Sequence, residues 1–333
     1  WVKWIGGASN QDLAAIEDLA GLYSLAGVHC LDLAADPAVV AAARRGIDWA
    51  ASRGAARPWL MVSLSDGSDP HFRKAWFDAG RCPASCPRPC ERVCPALAIP
   101  PFRRGVGEVT ERAGDPGGQV RERPGVLADR CYGCGRCLPA CPLGLIEDRE
   151  QPLPADAVAP LLASLRPDAI ELHTRIGRAE AFAARLAQVR GAAIPLRRLA
   201  VSCGLEVEGA TAADAGQVNE GTPRAAAVEQ RLEAELWNRF SQVRGAGFAP
   251  LWQLDGRPMS GDVGAGTARA AVALLRRMAS RLPPGPVQLA GGTNEHTLDL
   301  VEALSPRERA LVAGVAFGSV ARARLLPLLQ EAL

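Results

Sequence analysis

Two runs of cysteines between residues 82 and 142 contain the side chains of this sequence that are best suited to chemistry. The second run reads Cys131-x2-Cys134-x2-Cys137-x3-Cys141-Pro142, which is the ligand spacing of a bacterial-type ferredoxin cluster. The first run is looser, with three residues between successive cysteines, and also ends in Cys-Pro; it consists of Cys82, Cys86, Cys90 and Cys94. The runs hold all but two of the 10 cysteines in the 333-residue chain. The arrangement predicts two 4Fe–4S clusters, each with four thiolate ligands.

The order of the cysteines within each run predicts that the clusters share ligands between the runs. A residue before proline is driven to an extended conformation, which leads Cys141 away from its own tight loop. In two-cluster ferredoxins this fourth cysteine binds the other cluster. Gly133 and Gly135 suit the tight loop because glycine reaches backbone angles that other residues avoid. We expect one cluster on Cys131, Cys134, Cys137 and Cys94, and the other on Cys82, Cys86, Cys90 and Cys141.

Zinc binding and disulfide formation are the alternative interpretations of these cysteines. Zinc sites mostly use paired CxxC knuckles with four ligands per site, and the first run is less specific for a cubane than the second. Disulfides require an oxidising compartment, whereas thiolate ligands in this spacing predict a cytoplasmic protein. Cys30 and Cys203 lie outside both runs, and buried structural thiols are the expectation for them.

Strand-like and helix-like segments alternate along the rest of the chain. Eight segments have strand character: residues 1–5, 29–34, 58–65, 169–173, 199–203, 249–254, 287–290 and 311–317. A helical segment follows each of them, which predicts a parallel sheet, and eight such units close a (β/α)8 TIM-type barrel. An open doubly wound α/β sheet is the alternative.

The cysteine region falls in the third strand-to-helix connection of this pattern. We therefore expect three parts: residues 1–79 as the first part of the barrel, residues 80–148 as a ferredoxin-like iron–sulfur insertion, and residues 149–333 as the remainder of the barrel. Residues 103–123, between the two runs, are predicted to be an exposed excursion with a short hairpin.

Two glycine-containing turns near the end of the chain predict a phosphate-type anion site. Many barrels build such a site after strands seven and eight, where backbone amides and a helix N-terminus favour an anion. The candidate residues are Gly291, Gly292, Thr293, Gly318 and Ser319. Ordinary glycine turns are the alternative. Lys3, His173 beside Glu171, Asp255 and His296 are weaker candidates at predicted strand ends or inner faces.

The composition is that of an ordinary globular protein, with 48% hydrophobic residues, 22% charged residues and a net charge of +2. This near-neutral balance gives no indication of nucleic-acid binding. No apolar run approaches the about 20 residues of a membrane-spanning helix.

Beyond these motifs, the sequence resembles the cyanobacterial light-dependent period family. The resemblance rests on residues 1–10, residues 25–37, both cysteine runs, and the Gly-Gly-Thr-Asn and Gly-Ser-Val-Ala segments near the end. It implies an iron–sulfur protein that relays cellular redox state to the circadian clock and associates with a clock-input protein complex.

Two functions follow from these patterns. The first is a redox sensor or electron carrier with two 4Fe–4S clusters, in which reduction changes the cluster charge by one unit. The second is an oxidoreductase whose barrel binds a flavin or another phosphate-bearing ligand and receives electrons from the clusters. A flavin absorbance band or turnover with a reductant would distinguish the enzyme from the sensor.

Overall fold

Parallel strands close a barrel in the computed structural model, which describes residues 1–9, 12–101, 124–210, 222–257, 264 and 266–331. The order around the barrel is β1-β10-β9-β8-β7-β6-β3-β2. These strands are β1 (Val2–Gly7), β2 (Cys30–Ala34), β3 (Trp59–Ser65), β6 (Ala169–His173), β7 (Arg198–Cys203), β8 (Pro250–Asp255), β9 (Val287–Ala290) and β10 (Val312–Phe317). The predicted (β/α)8 barrel is confirmed, and closure between β1 and β2 excludes the open doubly wound sheet.

Helices follow the strands on the outside of the barrel. Their bounds are α1 (Leu13–Leu25), α2 (Pro37–Ala51), α5 (Ala155–Leu165), α6 (Ala179–Gly191), α7 (Pro223–Gly245), α8 (Ala268–Met278), α9 (Thr297–Glu302), α10 (Pro306–Arg309) and α11 (Ser319–Glu331). The start of α2 was predictable from Asp36 and Pro37. The Asp36 carboxylate accepts a hydrogen bond from the Ala38 amide at 2.9 Å, and Pro37 occupies the first helical turn, where its missing N–H costs nothing.

The inside of the barrel contains an apolar layer and a polar layer. Five small or flexible apolar residues pack together, one from each of five strands: Cys30, Met61, Ala169, Ala200 and Leu251. Two residues further along several of these strands, the alternation of a strand places polar side chains on the same face. The buried members of this second layer are Lys3, Asp32, Ser63, Glu171, Ser202, Gln253 and Gln288. Barrel interiors are usually filled by branched aliphatic residues, so a buried charged layer is a distinctive feature of this chain.

A second compact unit spans Phe72–Gln151 and takes in Ser9. It contains the antiparallel pair β4 (Arg73–Trp76) and β5 (Glu147–Glu150) and the short helices α3 (Pro89–Val93) and α4 (Cys137–Ala140). The Gln151 amide donates to the Phe72 carbonyl at 2.9 Å, so the two ends of this unit are adjacent. The excursion predicted for residues 103–123 lies outside the described residues.

The second unit has its own small hydrophobic core. Ala75, Phe77, Ala98, Ile99, Val126 and Ile146 pack there with the buried cysteines Cys90, Cys131 and Cys137. Few large apolar side chains take part in this core.

A separate observation concerns membranes. Among the described residues, no helix combines the length and the apolar character that a bilayer crossing requires.

Candidate iron–sulfur site

Four cysteines from two separate segments line one cavity in the second unit. They are Cys94 from the first run and Cys131, Cys134 and Cys137 from the second. The rest of the wall is mostly apolar or glycine, including Ala75, Ile99 and Val126, with Tyr132 as its other member. This set has the composition expected for one cluster with shared ligands, and the role of each cysteine as a ligand stays a prediction.

The electrostatics of the thiols show how closely this first set is grouped. Burial, followed by the nearby thiolates of Cys131 and Cys134, raises the pKa of Cys137 to about 12, and Cys94 contributes in the same direction. Thiols that resist ionisation together need a compensating positive charge before all can be thiolates. Iron ions held between them would supply that charge.

Cys82 and Cys141 lie near Cys90, one from each cysteine run. Burial raises the pKa of the Cys90 thiol, and the thiolates of Cys141 and Cys82 raise it further. Cys141 therefore lies within electrostatic range of the first run although it belongs to the second. Cys86 lies in the loop between Cys82 and Cys90, where its amide donates to the Pro83 carbonyl at 3.1 Å.

The ends of the two runs have the same backbone geometry. Cys94 follows α3 with φ −79° and ψ 104°, and Cys141 follows α4 with φ −77° and ψ 110°. Both are extended, as expected before proline. The Ala98 amide donates to Cys94 Sγ at 3.2 Å, and the Leu145 amide donates to Cys141 Sγ at 3.4 Å. Such N–H···S hydrogen bonds stabilise thiolates and tune the potential of a bound cluster.

This repeat extends into the turns that follow each Cys-Pro pair. Leu97 donates to the Cys94 carbonyl at 3.2 Å with φ +50°, and Gly144 donates to the Cys141 carbonyl at 3.1 Å with φ +61°. A left-handed residue therefore stands at the same place in both turns. Sequence reasoning predicted neither residue, and Leu97 was the harder one to find because leucine rarely adopts this conformation.

The glycine loop of the second run has the predicted conformation. Gly133 and Gly135 have φ +74° and +76°. A Cβ atom on Gly133 would lie 2.4 Å from the Arg73 carbonyl oxygen, so the loop packs against the backbone of β4 and no side chain fits between them.

The donor set of this unit fits a thiolate-bound cluster. All ten cysteines lie in the described residues and are free thiols there. Groups of four soft sulfur donors select zinc or iron–sulfur clusters. An iron–sulfur cluster bound here would supply one-electron transfer; the cysteines would hold it, and the Ala98 and Leu145 amides would donate hydrogen bonds to its thiolate ligands.

The candidate anion residues lie on neighbouring strands of the barrel. Gly291, Gly292 and Thr293 follow β9, and Gly318 and Ser319 follow β10, which pairs with β9 in parallel. The two turns therefore lie at the same end of the barrel. This is the arrangement that the prediction required.

Close backbone packing is enough to explain why glycine occupies two of the candidate anion-site positions, and this explanation needs no bound ligand. Gly291 and Gly292 have φ +70° and +93°, and a Cβ atom on them would lie 2.7 Å from the Arg257 carbonyl and 2.8 Å from the Thr267 carbonyl. Gly318 is different, since its nearest contact would be Ile5 Cβ at 3.5 Å. Anion binding at these turns stays a prediction.

A buried lysine and two buried carboxylates form the centre of the polar layer. Lys3 Nζ donates to Asp32 Oδ2 at 2.7 Å and also to Glu171 Oε2. Burial by itself would lower the pKa of Lys3, but the Asp32 and Glu171 carboxylates hold it above its ordinary value. Ser63 Oγ donates to Asp32 Oδ1 at 2.7 Å, and Gln253 Nε2 donates to Glu171 Oε1 at 2.7 Å. Lys3 was a weak candidate in the sequence, and Asp32 was missed.

Other candidates are placed at or near the strand ends. Asp255 ends β8, where burial and then the Glu171 carboxylate raise its pKa to about 6. His173 is the last residue of β6. Burial by itself would lower the pKa of His173, but the Asp69 and Glu171 carboxylates raise it above its ordinary value. His296 is exposed. Cys30 and Cys203 are buried, as expected of structural thiols, and burial raises the pKa of Cys203 to about 12.

Comparisons with known proteins match both parts of the chain. Residues 82–152 match the LdpA Fe–S cluster-binding domain, and residues 161–333 match the light dependent period A C-terminal domain. The chain is 43% identical to Light dependent period A of Synechococcus elongatus over 334 aligned residues, which cover 99% of this chain and 82% of that protein. The first match spans both cysteine runs and shows that this part of the chain is an iron–sulfur cluster-binding domain.

Proposed function

The chain belongs to the light dependent period A family, and from that premise we propose that it is a redox-sensing or electron-transfer protein with two 4Fe–4S clusters. The observation that carries the proposal is the cavity lined by Cys94, Cys131, Cys134 and Cys137. One cysteine of the first run joins three of the second there. The remaining set is Cys82, Cys86, Cys90 and Cys141.

Shared ligands place the two cubanes near each other within one small unit. An electron that enters one cluster then has a short path to the other. Reduction adds one negative charge to a partly buried site, where electrostatic effects are stronger than in water. A partner that contacts this surface would bind the oxidised and reduced forms with different affinities.

The partner that we propose is a clock-input protein complex, and the signal is the redox state of the cytoplasm. The name of the Synechococcus relative refers to a light-dependent period, which supports a role in timing. Thiolate ligands also require a reducing compartment.

Anaerobic purification followed by metal and sulfide analysis tests this function. We expect about eight iron and eight sulfide per chain, since two 4Fe–4S clusters contain four of each. Reduction should give the EPR signals of two interacting clusters. Zinc in place of iron and sulfide would contradict the proposal.

A second candidate is a flavin- or phosphate-ligand-dependent oxidoreductase whose barrel is fed by the clusters. The observation in its favour is that the two glycine turns lie at one end of the barrel on the paired strands β9 and β10, where many barrels bind phosphate. A flavin absorbance band in the purified protein, or turnover with reductant, would support the enzyme over the sensor.

A further inference from the structure

Three side chains with metal-binding chemistry meet at the carboxyl ends of two neighbouring barrel strands. Asp69 and His71 lie in the connection that follows β3, and His173 is the last residue of β6. β3 and β6 pair in parallel, with Ser65 beside His173. One potential ligand atom from each of the three residues lies within 4.8 Å of the others. None of them belongs to the second unit, the cysteine unit of Phe72–Gln151.

The Asp69 carboxylate is oriented between the two imidazole rings. Its Oδ1 accepts a hydrogen bond from the His71 amide at 2.8 Å and also contacts His71 Nδ1. Its Oδ2 lies 3.5 Å from His173 Nδ1. Ligand atoms around an ion bound at about 2.1 Å stand about 3.4 Å apart in a tetrahedral site. The spacing between Asp69 and His173 therefore already matches that of two ligands of one ion.

His173 also has the partner that metal-binding histidines usually have on their other nitrogen. Its Nε2 lies 3.0 Å from Glu171 Oε1. A metal ion bound between His173 and Asp69 would replace the proton on Nδ1, while the proton on Nε2, donated to the Glu171 carboxylate, would keep the Nδ1 lone pair directed at the ion. Carboxylate–histidine–metal arrangements of this kind fix the ring and its tautomer.

Glu171 is itself held in place by the polar layer of the barrel. Lys3 Nζ donates to its Oε2, and Gln253 Nε2 donates to its Oε1. The support for His173 therefore reaches three strands, β1, β6 and β8. A site held by rigid strands keeps its geometry better than one held by loops alone.

The three side chains differ in how much of their surface is exposed to solvent. The side chain of Asp69 is 7% exposed, that of His173 is 16% exposed and that of His71 is 26% exposed. The carboxylate is thus shielded, while the histidine rings can be reached from solvent. An ion could enter on the histidine side and keep positions open to water or another ligand.

We propose that Asp69, His71 and His173 bind a divalent first-row transition-metal ion, separate from the iron–sulfur clusters. Two imidazoles and one carboxylate suit zinc or ferrous iron, whereas magnesium and calcium prefer oxygen ligands throughout. Three protein ligands leave at least one coordination position open, as in catalytic zinc sites and unlike closed structural ones. The position at the carboxyl ends of the strands is where barrel enzymes place their reactive groups.

Equilibrium dialysis of the cluster-replete protein against low micromolar zinc, under anaerobic conditions, tests the proposal. Intact clusters keep the eight cysteines from binding zinc, and iron is counted in the same sample. We expect about one zinc per chain in addition to the cluster iron, as three ligands form one site. No zinc above the buffer level would overturn the proposal.

Three variants assign the bound zinc. His71→Ala and Asp69→Asn should each weaken zinc binding tenfold or more. His296→Ala removes an exposed histidine elsewhere on the barrel and should leave zinc binding unchanged. Unchanged binding in His71→Ala and Asp69→Asn would place the zinc elsewhere and refute the site. Far-ultraviolet circular dichroism checks that each variant is folded, and Asp69→Asn, which keeps the side-chain shape, decides the question if His71→Ala does not fold.

Discussion

Cys94 and Cys137 come from different cysteine runs and line the same cavity. They are 43 residues apart in the chain, as their numbers 94 and 137 give, and helices α3 and α4 place them. Burial, then Cys131 and Cys134, and then Cys94 act on the Cys137 thiol and raise its pKa. The structure thus brings one cysteine of the first run to three of the second, and the sharing of ligands between the runs stays a prediction.

Gly133 provides a test of the loop that holds Cys131 and Cys134. In Gly133→Ala the new Cβ would lie 2.4 Å from the Arg73 carbonyl oxygen. The clash is with the backbone of β4, which cannot move aside as a flexible side chain could. We expect a lower iron content per chain and a lower melting temperature of the cluster absorbance.

Gly144→Ala is the matched control for this loop. Gly144 also has positive φ, +61°, but a Cβ there would meet nothing within 4 Å. Both variants pay the cost of a left-handed non-glycine residue, about 1–2 kcal/mol, and only Gly133→Ala adds a clash. Equal iron loss in the two variants would contradict the packing explanation.

Lys3 tests the energetics of the barrel interior. Lys3→Met leaves the buried Asp32 carboxylate without its lysine partner, whereas Glu171 keeps His173 as a neighbour. Removal of one partner from such a buried group costs about 3–5 kcal/mol of the free energy of unfolding, measured by urea denaturation. Asp32→Asn in the same chain should recover part of the loss, because it removes the uncompensated charge of Asp32.

An exposed ion pair gives the comparison for Lys3. Arg57 and Asp48 form a salt bridge at 2.6 Å with both side chains more than half exposed. Arg57→Met should therefore change the free energy of unfolding by less than about 1 kcal/mol. If Lys3→Met were no more destabilising than Arg57→Met, the buried charged layer would not stabilise the barrel as described.

Gly318 is the better position at which to test anion binding. Substitution of Gly291 or Gly292 would disturb the backbone packing described above, so loss of binding there would be ambiguous. Gly318 has room for a Cβ. Gly318→Asp should weaken the binding of phosphate or of a flavin phosphate at least tenfold, about 1.4 kcal/mol, while Gly318→Ala should not. Binding that is measurable and equal in both variants would show that these turns are ordinary.

The adjacent ends of the second unit predict that the barrel folds without it. The hydrogen bond between Gln151 and Phe72 shows that a short glycine linker can replace residues 73–150. Since the barrel strands lie outside this segment, the shortened chain should retain a cooperative thermal transition by circular dichroism. A featureless melt would show that the barrel needs the cysteine unit.

The sequence predicted the barrel because strand–helix alternation is a local pattern, and it predicted an iron–sulfur domain because cysteine spacing is local as well. The division of the cysteines into two ligand sets stays a prediction. Sequence reasoning missed Asp32, Asp69 and His71. Asp32 lies inside a fully buried strand, where a charged residue interrupts the apolar pattern and gives no sign of a function. Its partner Lys3 is brought to it only by the pairing of β1 with β2. The available signal for Asp69 and His71 was their position directly after the third strand, at the end of the barrel where functional side chains collect.

The left-handed Leu97 shows a second limit. Gly144 signals its turn by residue type, whereas Leu97 takes the same conformation because the repeat of the cysteine unit imposes it. The packing of the unit therefore outweighs the preference of leucine for negative φ at this position. No inspection of the first run alone would have found it.

The most direct test of the central claim counts iron in two double variants purified anaerobically. If Cys141 binds the cluster of the first run, Cys141→Ala with Cys86→Ala removes two ligands from one cluster and leaves the other intact. Cys141→Ala with Cys134→Ala damages both. The account predicts about four iron atoms per chain and a single-cluster EPR signal for the first variant, because one 4Fe–4S cluster remains, and much less iron for the second. The reverse pattern, with one intact cluster in Cys141→Ala/Cys134→Ala and little iron in Cys141→Ala/Cys86→Ala, would contradict shared ligation.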